Sequence, residues 1–182
     1  MLLRVLNGAL LKSSKELYSY VDKNIDAYVF IGAPKLPLYR VSTTLKNFFI
    51  VTSKYDDVYV TKTARNTGVL LDARVISLSN YLIAGVGGID PWYAIMRLRE
   101  LLGNQTRSKI LLFSYFPAYG VCDYLPELSV KSGLAELRNF LDHIKPYVFI
   151  SLGSVECGTR YGETNVYTLS RETPFLDLKL GL

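Results

Sequence analysis

Histidine is the residue whose scarcity most restricts the chemistry available to this chain: there is one, His143. It falls in residues 133–144, where Leu134, Leu137, Phe140, Leu141 and Ile144 repeat at helical spacing, so it belongs on a helix surface or at a helix end. Imidazole metal centres gather several ligands, and a lone helical histidine builds none. Asp90, Asp123, Glu156 and Glu163 could together hold one hard divalent ion, but they belong to separate segments that no spacing unites. Cys122 and Cys157 form no C-x-x-C pair and are expected to be reduced thiols. Arg97, Arg99, Arg107 and Lys109 gather loosely around one predicted helix. Glu100 interrupts them and Arg97 and Arg99 share no helical face, so nucleic acid is a weak candidate partner. Tyrosine is abundant (14 residues, with 8 Phe and one Trp), and its broad apolar face with a polar tip suits protein interfaces. Tyr39, Trp92, Tyr93, Tyr119 and Tyr124 sit in predicted loops or at a helix start and are expected to be exposed.

The elements that must position these groups are legible as short apolar runs. Residues 2–6, 27–31 and 109–114 read as buried strands, and 147–152, 165–170 and 175–180 as further strands. Ser13 and Glu16 form a capping box opening a helix to about residue 23. Residues 41–55 mix both periodicities, and their length favours a helix; 57–61 reads as a strand. Ser79-Asn80 joins strands 74–78 and 81–86 as a hairpin, and Pro91 starts a helix to about residue 102. Buried strands alternating with helices, plus a central hairpin, predict two facing sheets with helices outside: an α/β protein built as a four-layer α/β/β/α sandwich. At 182 residues the chain suits one domain, 1–182. Charged residues make up 20% and the net charge is +5, so neither disorder nor a dominant polyanion-binding face is indicated. No apolar run is long enough to cross a membrane. The apolar first residues lack a signal peptide's basic start and cleavage site, so a cytoplasmic location is expected.

Three segments resemble the small calcineurin-like phosphoesterases. Val69-Leu70-Leu71 leads through the hairpin into Ile83-Ala84-Gly85-Val86-Gly87-Gly88, similar to that family's strand pair and G-x-G-G turn. Residues 110–120 with Asp123 resemble its x-x-H-x-P-P-Y-G segment. Gly133-Leu134 through Lys145-Pro146 and Val148-Phe149-Ile150 resemble the helix and strand before its G-H-x-H-E. The resemblance spans roughly residues 2–169 and implies a metallophosphoesterase-like sandwich whose chemistry would rest on two divalent metals.

Carried over position by position, the same resemblance implies that those metals have lost their ligands. The opening D-x-H falls on Asn7-Gly8-Ala9, and the G-D on Gly32-Ala33. The G-N-H-D falls near Lys62-Thr63-Ala64-Arg65, the H-x-P-P histidine becomes Tyr115, and the final G-H-x-H becomes Leu152-Gly153-Ser154-Val155 before Glu156. The vacated positions are thus Asn7, Ala9, Ala33, Thr63, Arg65, Tyr115, Gly153 and Val155, with no metal and no cofactor expected. Small and apolar replacements predict a collapsed, partly apolar pocket. The function implied is a non-catalytic protein-interaction or assembly module, with a protein partner or a homo-oligomer. Such roles are found in the phosphoesterase-like subunit of retromer and the small subunits of replicative DNA polymerases. Two alternatives stay open: a metal-independent phosphate or nucleotide site using Lys62 and Arg65, or a residual hydrolase using the scattered carboxylates.

Overall fold

A computed structural model describes residues 1–103, 109–170 and 172–181. Its first half runs β1 (Leu2–Asn7), α1 (Ser14–Ser19), β2 (Ala27–Ile31), α2 (Leu38–Thr44), β3 (Phe48–Val51) and α3 (Val58–Asn66). Then follow β4 (Val75–Leu78), β5 (Tyr81–Val86), α4 (Pro91–Leu102), β6 (Ile110–Ser114), β7 (Tyr124–Leu125) and β8 (Val130–Lys131). The chain closes with α5 (Ala135–Ile144), β9 (Val148–Leu152), β10 (Cys157–Tyr161), β11 (Thr164–Leu169) and β12 (Phe175–Lys179).

Two sheets result. One has the order β12-β1-β2-β3 and the other β10-β11-β9-β6-β5-β4. Their interior strands pair in parallel, while β12, β10 and β4 close edges antiparallel. Alternate side chains of each buried strand face opposite ways, which produces three apolar layers. Leu3, Val5, Val29, Val51, Ile83, Leu111, Phe113 and Ile150 fill the space between the sheets. Leu6, Phe30, Phe48 and Ile50 meet Leu17, Val41 and Ala64 of α1, α2 and α3 on one outer side. Leu112 and Phe149 meet Ile95, Leu98, Leu137, Phe140 and Leu141 of α4 and α5 on the other. The protein is a four-layer α/β/β/α sandwich.

Two expected elements are corrected. Instead of one helix over 41–55, α2 ends at Leu45, which is extended (φ −116°, ψ 126°), and β3 follows, pairing with β2 from Tyr28↔Phe48 to Ile31↔Val51. The four consecutive apolar residues of β3 explain this: Phe48 and Ile50 face the helices while Phe49 and Val51 face the other sheet. A strand covered on both faces buries such a continuous run. The expected strand at 57–61 is α3, whose N-cap Asp57 accepts a hydrogen bond from Tyr59 N (2.6 Å).

The cysteines are also corrected. Cys122 and Cys157 form a disulfide, because the loop after β6 and the start of β10 lie side by side with Cα atoms 5.7 Å apart despite a sequence separation of 35. A separation that long hides such a pairing from sequence spacing. Arg107 lies outside the described residues, and among the described residues no helix is long and apolar enough to cross a membrane.

Candidate functional site

The C-terminal ends of β1, β2, β3, β6 and β9 open on the same edge of the sandwich. Their loops surround a cleft of about 810 Å³, inside the size range of small-molecule sites. Asn7, Ala33, Lys35, Lys54, Tyr55 and Asp56 line one wall; Tyr115, Phe116, Leu152 and Ser154 line the other. Tyr115 and Phe116 stack edge to face with centroids 4.9 Å apart. The collapse expected from small replacements has not occurred, and two glycines set how closely the surrounding loops approach one another. A Cβ on Gly8 would lie 1.8 Å from Gly32 O, so the β1 and β2 loops touch through main chain. Similarly, a Cβ on Gly88 would lie 2.4 Å from Lys54 N.

The loop after β3 is organised by Asp56. Its Oδ2 accepts from Ala33 N (2.8 Å) and Ser53 N (2.7 Å), and its Oδ1 accepts from Ser53 Oγ (2.7 Å). One carboxylate thereby joins the β2 and β3 loops. Beneath it, half-buried Asp72 accepts from Thr52 N (3.0 Å) and from Thr52 Oγ1. Burial pushes the Asp72 carboxyl up from 3.8 to about 6; the Thr52 hydrogen bonds oppose that rise, Asp56 adds to it and Arg65 opposes it.

No protein-family profile matches the chain, and no curated protein does. Solved structures do. TT1561 of Thermus thermophilus superposes with a TM-score of 0.68 at 18% identity, over 93% of this chain and 88% of its own. Vps29 of Chaetomium thermophilum reaches 0.51 at 13%, over 100% and 83%. Vps29 of Entamoeba histolytica, solved in complex with Zn2+, reaches 0.50 at 12%, over 99% and 86%. The fold is that of the calcineurin-like phosphoesterases. The resemblance read in the sequence implies metal ligands on loops at strand ends, and the donors in the present cleft test that expectation.

Those donors do not fit a pair of divalent ions, which together need about six to eight protein ligands. Asn7 offers one neutral oxygen: Nδ2 donates to Ser170 O (3.3 Å) and Oδ1 is buried with no hydrogen-bond partner among the described residues. Asp56 is held by three donors and Asp57 caps α3. His143 lies exposed on α5, and among the described residues no three His, Cys, Asp or Glu side chains converge.

Of the positions singled out in sequence, Asn7, Ala9, Ala33, Tyr115 and Gly153 line the cleft. Thr63, Lys62 and Arg65 do not. They lie on α3, because the third strand is β3 and the loop after it is 52–57, a full helix earlier than the expected register. Val155 is 43% exposed and outside the lining. The residues missed were Lys54, Tyr55 and Asp56, which a strand reading of Phe48–Val51 followed by a polar turn would have found.

The four scattered carboxylates are separated and employed. Asp90 caps α4 through Tyr93 N, and buried Asp123 accepts from Gly120 N and Gly133 N. Glu156 accepts from Thr173 Oγ1, and Glu163 pairs with Lys145. None lines the cleft. The five aromatic residues expected at the surface (Tyr39, Trp92, Tyr93, Tyr119 and Tyr124) are 47–64% exposed.

Proposed function

We propose that this phosphoesterase-fold chain acts as a protein-interaction or assembly module and not as a metal-dependent hydrolase. The observation that carries the reading is the state of Asp56: the acidic group best placed at the cleft is consumed in joining two loops. The exposed aromatic residues support the positive half of the proposal, since side chains of this kind dominate interface energetics. A cytoplasmic setting remains part of the proposal, although the cysteine pairing weighs against it.

A second reading, metal-free anion binding, is favoured by one observation. Lys35 and Lys54 both line the cleft and neither forms an ion pair among the described residues.

One set of measurements separates these readings. Chelator-treated full chain is titrated with Mn2+, Zn2+ and inorganic phosphate in a calorimeter, assayed for metal-dependent cleavage of bis-p-nitrophenyl phosphate, and sized by light scattering. The expected outcome is no saturable metal binding and no turnover, with assembly above the monomer or stable capture by a partner. Metal-dependent turnover would overturn the proposal, and phosphate heat lost in Lys54→Ala would transfer it to the second reading.

A further inference from the structure

Among the described residues, the three most exposed large apolar side chains are Tyr55 (79%), Val58 (78%) and Tyr59 (75%), and they lie within five positions of one another. They straddle the start of α3. Ala64 of this helix is fully buried and half-buried Val60 faces the cleft, so the opposite face is turned to solvent. On that opposite face Val58, Lys62 and Arg65 follow at i, i+4 and i+7, Tyr59 lies beside them, and Tyr55 precedes the helix in the loop that enters it. Lys54 adds a third cation, its Nζ 4.9 Å from the centre of the Tyr55 ring. None of these three cations forms an ion pair among the described residues. The nearby acids are engaged elsewhere: Asp57 caps the helix N-terminus and Asp56 holds the loop backbones, and neither forms an ion pair with these cations among the described residues. An apolar centre bordered by unpaired positive charge is the mark of a binding surface and not of an ordinary solvated helix.

We propose that this face of α3, with the loop entering it, docks an acidic polypeptide segment whose apolar side chains pack on Tyr55, Val58 and Tyr59. The inference rests on the interaction reading above and specifies its partner. Charge complementarity selects this occupant over two others. A second copy of the chain, pairing face to face, would set Lys54, Lys62 and Arg65 against their own equivalents. Nucleic acid would gain little from Val58, and three cations supply few phosphate contacts. The face is also continuous with the cleft, since Lys54 and Tyr55 belong to both. A bound segment therefore has room to seat one side chain between the loops.

The test selects displayed peptides of about 12 residues on the full-length chain and measures a labelled enriched peptide by fluorescence anisotropy. The substituted side chains are solvent-facing, and matched thermal melts confirm that each variant folds. Expected are peptides combining Asp or Glu with Trp, Phe or Leu. Their affinity should fall at least tenfold in Tyr59→Ser and in Lys62→Glu, weaken between roughly 50 and 300 mM salt, and be unchanged in Met96→Ser on α4. Binding indifferent to Tyr59→Ser and Lys62→Glu but lost in Met96→Ser would overturn this site and leave the interaction reading standing. A concentration-dependent dimer dissolved by Tyr59→Ser would overturn it in favour of a second copy. Binding of an oligonucleotide lost in Lys62→Glu, without any acidic peptide, would overturn it in favour of nucleic acid. No enriched peptide and no assembly would remove both proposals.

Discussion

Asp72 carries the cost of sitting between two sheets beneath a cleft. Its raised pKa, about 6, means that the folded protein holds a proton which the unfolded chain releases near 3.8. Stability from this group is therefore fully present below about pH 4 and is lost as pH rises through about 6, a change on the order of 2–3 kcal/mol. Asp72→Asn keeps an oxygen for Thr52 but removes the charge. Urea unfolding of both proteins at steps between pH 4 and 7 should show wild type losing ground to the variant as pH rises. Parallel curves would mean that burial does not govern this carboxyl. Asp56, at the same strand ends, is stabilised by three donors in place of being strained, so neighbouring acids in one loop system serve different purposes.

At the scale of elements, the disulfide ties the Pro117–Leu125 side of the cleft to the β9–β10 side. Closing a loop of this length restricts the unfolded chain by roughly 3–4 kcal/mol. The double variant Cys122→Ser, Cys157→Ser should lose about that much in denaturant melts without reductant, and wild type should show no free thiol when unfolded. Two titratable thiols in the native preparation would refute the pairing. Elements with a single clear period were legible in sequence: the Ser13/Glu16 capping box, the Ser79-Asn80 hairpin and the helix begun by Pro91 all form as expected. Those that fail have a common cause. Phe48–Val51 is apolar at every position because both of its faces are covered, so neither period shows, and that one misreading displaced the site register onto Lys62–Arg65. The cysteine pairing was hidden for a different reason, since it depends on tertiary proximity alone.

On the scale of the whole molecule, the four-stranded sheet is completed by the last strand pairing with the first. Arg4 marks that closure. Its Nε and Nη2 donate to the two carboxylate oxygens of Asp177 (2.6 Å each), its Nη1 donates to Tyr20 O (2.7 Å), and its guanidinium lies 4.4 Å from the centre of the Phe175 ring. The hydrogen bonds to Asp177 hold the Arg4 pKa above its ordinary value against the opposing effect of burial. Asp177→Ala leaves a mostly buried cation with one carbonyl partner. Because the Asp177 side chain is 36% exposed, the expected loss is about 1–3 kcal/mol, below that of a fully buried pair. Equilibrium unfolding of the variant checks it, and an unchanged midpoint would show that strand pairing alone holds β12 in place.

The same closure brings Met1 N within 3.2 Å of Leu180 O, so the first and last strands end at one corner of the sandwich. A few glycines and serines could splice that corner shut, and fresh ends could then be cut at the exposed Ser79-Asn80 tip. Such a permuted chain would keep every layer of the architecture while the six-stranded sheet, all but β4, leaves the ribosome ahead of the four-stranded one.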